Sequence, residues 1–330
     1  MRWGLAKADI IQGFPSPSFL VSPMLVFRGF SHVAPAATAL TIGNFDGVHL
    51  GHRALLGRLG EKCRAQGLLP TAITFEPHPR EFFDPAGAPT RLSTLREKLE
   101  LIAADGVELA YVARFDAALA KLTADEFVEQ VLVRSGRVKA LIIGDDFCFG
   151  ADRKGSLEML RGCGDRFGFA VEALPSVILD GVRVSSSVVR EALAQGEMER
   201  AAMYLGRAYS IDGRVVHGDK VGRQLGFHTA NIRIKHSKSP LSGVFAVEVH
   251  GLAGGPHRGV ANLGVRPSAN QLSRPLLEVH LFDFSANIYG YHLNVRFLHK
   301  LRDEVRFSGL DALKAQIALD VANAQAYFKH

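Results

Sequence analysis

Between Ala39 and about Val184, short apolar runs alternate with helix-length amphipathic stretches; beyond Tyr209 the runs are short, alternating and split by glycine. That change of period predicts two architectures in one chain. In the first half "ALTIGNF", "TAITFE", "VELAYVA", "VKALIIG" and "FAVEAL" read as strands. Helices are expected over residues 49–66, 94–104, 124–134 and 156–161. Strands separated by helices imply a parallel, Rossmann-like α/β sheet covered on both faces, with ligands at the carboxyl ends of the strands. In the second half "YSIDGRVV", "GVFAVEVH", "RGVANLGV", "LLEVHLFDF" and "HLNVRFLH" predict a small antiparallel β-barrel. A closing helix over residues 310–328 would carry Leu313, Ile317 and Val321 on one face. Between the halves, Ser185 to Ser187 are ready N-caps for a short helix ended by Gly196, and a second helix follows over residues 197–204. The expected boundaries are an extension over 1–23, an α/β domain over 24–184, a helical linker over 185–207 and a barrel domain over 208–330.

A length of 330 residues agrees with two domains, and 47% hydrophobic with 22% charged residues suits filled cores and a solvated surface. The net charge of +6 is spread along the chain, which favours anionic small ligands at least as much as nucleic acid. Cys63, Cys148 and Cys163 form no C-x-x-C pair, the pattern of free thiols in a reducing cytoplasm. The start of the chain has basic residues before apolar ones, as a secretory signal would, but Pro15, Pro17 and Pro23 interrupt the run. Residues 1–23 are expected to be a poorly structured extension ahead of a start at Met24. No stretch reaches the roughly 18 apolar residues of a membrane span, so no membrane partner is expected.

Two stretches carry chemistry. In "TIGNFDGVHLGH" a strand ends near Gly43, "NFDG" turns, and a helix begins near Val48. Such a helix N-terminus is an anion site by geometry and dipole. His49 and His52, three residues apart, would share one face of its first turn, where imidazoles can donate to phosphate oxygens. Two histidines can also be structural, and a metal site with His78 of "FEPHP" as third ligand is a weaker rival. A dinucleotide fingerprint is disfavoured, because no G-x-G-x-x-G joins a strand to a helix.

The second stretch, "DGRVVHGDKVGRQLGFHTAN", places Gly213, Gly218, Gly222 and Gly226 in a basic context before Thr229 and Asn231. Glycines let backbone wrap phosphates, and short side-chain oxygens can join a magnesium shell. It is not a P-loop, and by turn chemistry alone it could equally be a glycine-rich hairpin. Glu278, in "LLEVHLFDF", shares a strand face with His280, which alone could be a solvated surface.

Taken together, "GNFDGVHLGH", "TFEPHPREFF", "RLSTLREKLELI", "IIGDDFCFGADRKGSLEML" and "SSSVVREAL" resemble the adenylyltransferase half of the bacterial bifunctional riboflavin kinase/FAD synthetase family. The glycine-rich loop with "GVANLGVRPS", "LLEVHLFDF" and "LRDEVRF" resembles its riboflavin kinase module. The resemblance runs from about Met24 to the C-terminus. It implies that Gly43, Asn44, Phe45, Asp46, His49 and His52 hold ATP, that Ser186, Ser187 and Arg190 complete the phosphate site, and that Asp146 and Phe147 help form a flavin pocket. In the kinase module it implies Gly218, Gly222, Arg223, Thr229 and Asn231 for ATP, Thr229 and Asn231 for Mg2+, Glu278 as base, and Arg302 and Phe307 toward the flavin, with the C-terminal helix closing over it.

The implied activity is phosphorylation of riboflavin to FMN and adenylylation of FMN to FAD by a cytoplasmic transferase. Its partners would be riboflavin, FMN and ATP, without nucleic acid, and a homo-oligomer stays open. Three departures stand out. "SSVVR" has one residue fewer before the arginine than the family's turn; His228 replaces the proline of P-T-A-N; and Ala208 replaces a proline after the linker. An FAD synthetase with a degenerate kinase domain, and a flavin-sensing binding protein, therefore remain as alternatives.

Overall fold

The computed structural model describes residues 9–11, 24–217, 229–235, 238–266 and 274–329. The chain forms two compact units, one of Met1–Pro89 with Leu95–Val184, the other of Thr90–Thr94 with Ser185–His330.

In the first unit, strands β1 (Asp9–Ile11), β2 (Met24–Arg28), β3 (Thr38–Ile42), β4 (Leu69–Glu76), β5 (Leu109–Arg114), β6 (Val138–Gly144) and β7 (Ala170–Leu174) form one sheet in the order β1-β2-β5-β4-β3-β6-β7. All neighbours are parallel except β1, which runs antiparallel to β2. Period-2 alternation sorts the buried side chains between two cores. Leu40, Ile42, Ile73, Leu109, Leu141 and Ile143 meet Phe127, Val131 and Leu160 on one face, while Ala39, Ala72, Ala110, Ala140 and Ile142 meet Leu56, Leu59, Leu99 and Ile102 on the other. Truncating one of these fully buried residues, such as Leu40→Ala, would cost about 2–5 kcal/mol. Because β4 and β6 leave β3 in opposite directions, the carboxyl end of β3 is a topological switch point, where open α/β sheets bind ligands.

The structure departs from the sequence reading at several elements. β1 lies within the stretch read as a poorly structured extension and pairs antiparallel with β2. The helix expected to stop at residue 161 runs Leu157–Phe167, capped by Ser156 Oγ, which accepts from Met159 N at 3.2 Å. Gly164 within it is there for close packing: a Cβ would lie 2.4 Å from the Phe169 carbonyl oxygen. The helix over Ala124–Phe127 continues as a π-helical segment, Val128–Ser135, and a hairpin of β8 (Ile178–Leu179) and β9 (Val182–Arg183) follows β7.

In the second unit Ser185 caps the helix Ser186–Gln195, Gly196 ends it in a left-handed conformation, and Met198–Leu205 follows. Strands β10 (Tyr209–Val216), β11 (Thr229–Arg233), β12 (Gly243–His250), β13 (His257–Arg266), β14 (Arg274–Leu281) and β15 (His292–Arg302) close into a barrel in the order β10-β11-β14-β13-β12-β15, antiparallel throughout. β11 was read as part of the glycine-rich loop; as a strand it closes the barrel. Val215, Ile232, Phe245, Val247, Ala261, Leu263, Leu277, Val279, Val295 and Phe297 are buried on alternating positions. The C-terminal helix, Leu310–Tyr327, rests on the outer face, where Ala324 and Val321 meet Val244, Ala246 and Val260. Leu313, Ile317 and Val321 share its half-buried side, as their spacing requires.

Candidate active sites

The first candidate site begins where β3 ends. Gly43 N donates to Ile73 O at 3.0 Å, which ties the chain to β4 as it leaves the sheet. A Cβ on Gly43 would lie 3.2 Å from the Phe45 ring, so the glycine lets that ring fold back. Phe45, Gly47 and Val48 all take positive φ, of 49°, 78° and 40°, and the turn buries Phe45 and Asp46. The helix Leu50–Gln66 starts one residue later than expected. His49 is its N-cap, in extended conformation, rather than a member of the first turn, and His52 is the third helical residue. Even so the two imidazoles stack, centroids 3.8 Å apart and planes 22° apart, with Phe45 5.1 Å from His52. Gly51 makes room, since a Cβ there would sit 3.1 Å from the His49 ring.

His52 is half-buried as a residue, but its Nδ1 is covered and has no hydrogen-bond partner among the described residues. Burial first, then His49 and Lys98, hold its pKa well below the ordinary histidine value. A neutral ring at neutral pH follows. At this end of the first unit the helix N-terminus presents backbone N–H groups that no intrahelical carbonyl can satisfy. A neutral His52 ring beside such donors can meet phosphate oxygens. His78 is used elsewhere: its Nδ1 accepts from Arg80 N at 3.1 Å and caps the helix Pro79–Phe83. Among the described residues no group of three histidine, cysteine or acidic side chains could hold a metal.

Asp146 and Phe147 follow β6 at the same carboxyl edge of the sheet. Asp146 pairs with Arg183 of β9, Asp145 Oδ1 accepts from Ser176 Oγ at 3.1 Å, and the Phe147 ring stacks on Phe149 with centroids 5.7 Å apart. Residues that sequence reasoning missed also stand at this edge. Phe82 and Phe83 follow β4 and Phe115 follows β5. These rings meet at 5.2–5.7 Å, and Phe83 is 68% exposed. Exposed aromatic surface at the ligand end of a sheet suits a planar aromatic ligand. The doublet in "REFF" was the available signal. Lys98, also unassigned from sequence, is 1% exposed and donates to Thr74 Oγ1 at 3.2 Å.

In the second unit, Ser186 and Ser187 open the helix after its Ser185 cap, and Arg190 Nε donates to Thr90 O at 2.6 Å. Strand register assembles the other candidate site on the outer face of the barrel. Asn231 stands opposite Glu278, and Glu278 opposite Asn262, so three polar side chains from β11, β14 and β13 lie in one row. Thr229, two residues from Asn231 and on the same face, stands opposite His280. Asn231 is buried, while Thr229, Asn262, Glu278 and His280 are half-buried. Asn262 was quoted within "GVANLGVRPS" but given no role; only the register reveals it. Side-chain oxygens of Thr229 and Asn231 are of the hard kind that Mg2+ takes. His280 and Asn262 border the apolar patch under the C-terminal helix, opposite Val260 and Val244.

Arg302 holds that helix. Its Nε and Nη2 donate to Asp320 at 2.8 and 2.6 Å, Nη1 donates to Asp303 O at 2.8 Å, and its guanidinium lies 5.8 Å from the Phe307 ring. A Cβ on Gly264 would meet the Glu304 carboxylate at 1.7 Å, so this glycine admits the loop after β15. Gly218, Gly222, Arg223 and His228 lie outside the described residues.

Comparison with known proteins follows the same division. Residues 32–188 match the family model for FAD synthetase, and residues 205–328 match that for riboflavin kinase. The bifunctional riboflavin kinase/FMN adenylyltransferase of Haemophilus influenzae is 49% identical over 290 residues, covering 88% of this chain and 94% of the relative. The protein of that description from Escherichia coli is 46% identical over 308 residues, covering 92% and 98%. A solved structure described as a macrolide-efflux protein from Streptococcus pneumoniae is 28% identical, with a TM-score of 0.77, and covers 89% of this chain and 97% of its own. Among the described residues no helix is long and apolar enough to cross a membrane.

Proposed function

The chain belongs to the bifunctional riboflavin kinase/FMN adenylyltransferase family, a transferase that makes FMN from riboflavin and FAD from FMN, and we propose that its two polar clusters divide those reactions. The observation that carries this reading is the match of each cluster to its own half. The stacked His49–His52 pair lies within residues 32–188, and Glu278, with Thr229 and Asn231, lies within residues 205–328. The domain limits follow as 24–184 for adenylyl transfer, 185–207 as linker and 208–330 for phosphorylation, with cytoplasmic residence as the setting that free thiols favour.

In the adenylyl transfer, an FMN phosphate oxygen attacks the α-phosphorus of ATP, a new P–O bond forms, and the bond to the β-phosphate oxygen breaks as pyrophosphate leaves. Gly43, Asn44, Phe45 and Asp46 shape the cradle, and His49 and His52 donate to the phosphates as charge builds on the leaving group. A neutral His52 would present Nε2–H, because Nδ1 is covered. Asp146, Phe147 and the aromatic group of Phe82 and Phe83 receive the flavin.

In the phosphorylation, the ribityl 5′-hydroxyl attacks the γ-phosphorus of ATP, Glu278 accepts the hydroxyl proton, and ADP leaves. Thr229 and Asn231 would hold Mg2+, which supplies charge neutralisation for the phosphates. Arg302 and Phe307 bound the flavin side, Arg302 acting through its grip on the C-terminal helix. The testing experiment is chromatography of products from the full chain with riboflavin, ATP and Mg2+. FMN followed by FAD supports both assignments; conversion only of supplied FMN would leave the barrel as a degenerate kinase.

A further inference from the structure

We propose that Lys98 is a positioning residue for adenylyl transfer: its buried ammonium, acting through the Thr74 hydroxyl, locks the turn that carries Asn44. The inference rests on the assignment of that turn to ATP. Lysine is almost never fully buried unless it is held by partners, yet Lys98, on the helix Leu95–Ala104, is 1% exposed. Burying an ammonium costs desolvation and rotamer freedom, so a position needing only packing is filled better by methionine or leucine.

The hydrogen-bond directions are fixed by chemistry. An ammonium only donates, so Nζ occupies a lone pair of Thr74 Oγ1, at 3.2 Å. The single hydroxyl hydrogen is then free to go to the Asn44 carbonyl oxygen, also at 3.2 Å. Gly43 N, one residue earlier, donates to Ile73 O in the same strand, β4. Two successive residues of the cradle are thus tethered to neighbouring positions of β4, and Lys98 fixes the polarity of one tether. A turn held in place before ATP arrives needs no reorganisation during the reaction. The same ammonium also acts electrostatically on His52, after burial and His49, in favouring the neutral ring. In a covered site such a fixed positive charge is felt strongly by phosphate.

The test measures kcat and KM for ATP in FMN-to-FAD conversion by Lys98→Met, Thr74→Val, Thr74→Ser and the Lys98→Met/Thr74→Val double variant of the full chain. Riboflavin phosphorylation serves as an internal standard for active concentration, and thermal unfolding as a check of the fold. The proposal expects Lys98→Met to lower kcat at least tenfold, the double variant to be no slower than Lys98→Met alone, and Thr74→Ser to recover most of the rate lost in Thr74→Val. A kcat for Lys98→Met within twofold of the parent, or a double variant whose loss equals the product of the single losses, overturns it. Should Lys98→Met fail to fold, equal rates for Thr74→Val and Thr74→Ser overturn it instead. His52→Ala, run alongside, separates the two readings. A parental rate there removes the assignment of the turn itself, whereas an impaired His52→Ala with an unaffected Lys98→Met removes only the role of Lys98.

Discussion

The turn after β3 and the outer face of the barrel bring functional groups together by opposite routes. From Gly43 to His52 every group comes from one short contiguous stretch, and backbone geometry does the assembling: three positive φ values, a glycine under each aromatic ring that folds back, and a helix N-terminus. On the barrel, Thr229 and Asn231, Asn262 and Glu278 come from three strands and meet only because β11, β14 and β13 pair in one register. A contiguous motif can survive drift in the rest of its sheet. A register-built site cannot, because a slip of one residue in β14 would turn Glu278 into the barrel and a core residue out.

The largest expected effect tests the register-built site. Glu278→Gln keeps the shape and removes the base, so FMN formation from riboflavin should fall by about 10²–10⁴-fold while supplied FMN is still converted to FAD. Chromatography with each substrate in turn reads this directly, and retained riboflavin phosphorylation would refute the base assignment. Next comes the mirror-image loss. His52→Ala should reduce FAD formation about a hundredfold and leave FMN formation intact, the effect of removing one oriented donor to a charged transition state.

Arg302→Met is expected to act on stability in the barrel unit alone. It leaves Asp320, 6% exposed, without its bidentate partner. Loss of about 2–3 kcal/mol is expected in denaturant unfolding followed by a probe in that unit, reduced from a fully buried pair because Arg302 keeps some exposure and Gln316 still donates to Asp320. An unchanged midpoint would show that the C-terminal helix is held by its apolar side alone.

The smallest effect concerns pH and the α/β unit. His52 has its folded pKa depressed below the unfolded value of 6.5, so the unfolded chain binds the proton more readily. Stability contributed by the neutral ring is therefore fully present above pH 6.5 and is lost as pH falls below it, at up to about 1.4 kcal/mol per pH unit until the folded group titrates. Thermal unfolding between pH 7 and 5 should show a steeper loss for the parent than for His52→Asn. Equal slopes would mean that the ring is not held neutral.

Much of this was legible in the chain. The strands "VKALIIG", "YSIDGRVV" and "GVFAVEVH" have the bounds their patterns suggest, because long, strongly patterned apolar runs have one satisfactory way to be buried. Ser185 and Gly196 bracket their helix for local reasons of capping and φ. Failures came where local and tertiary preferences disagree. The helix expected to stop at residue 161 is continued by packing to Phe167, and Thr229–Asn231 was absorbed into a glycine-rich loop although its partners β10 and β14 make it part of a strand.

The amino-acid sequence by itself determined the two-part architecture, the tight turn after β3 and the helix that follows it, since periodicity, turn chemistry and capping act over a few neighbouring residues. Only the tertiary structure decided that His49 and His52 stack, that Asn262 stands beside Glu278, that Arg302 grips Asp320 and that Lys98 is buried against Thr74. Except for the two histidines, which the turn brings together, these pairings join separate elements, and they are chosen by strand register and by the need to satisfy buried polar groups, which no local pattern encodes.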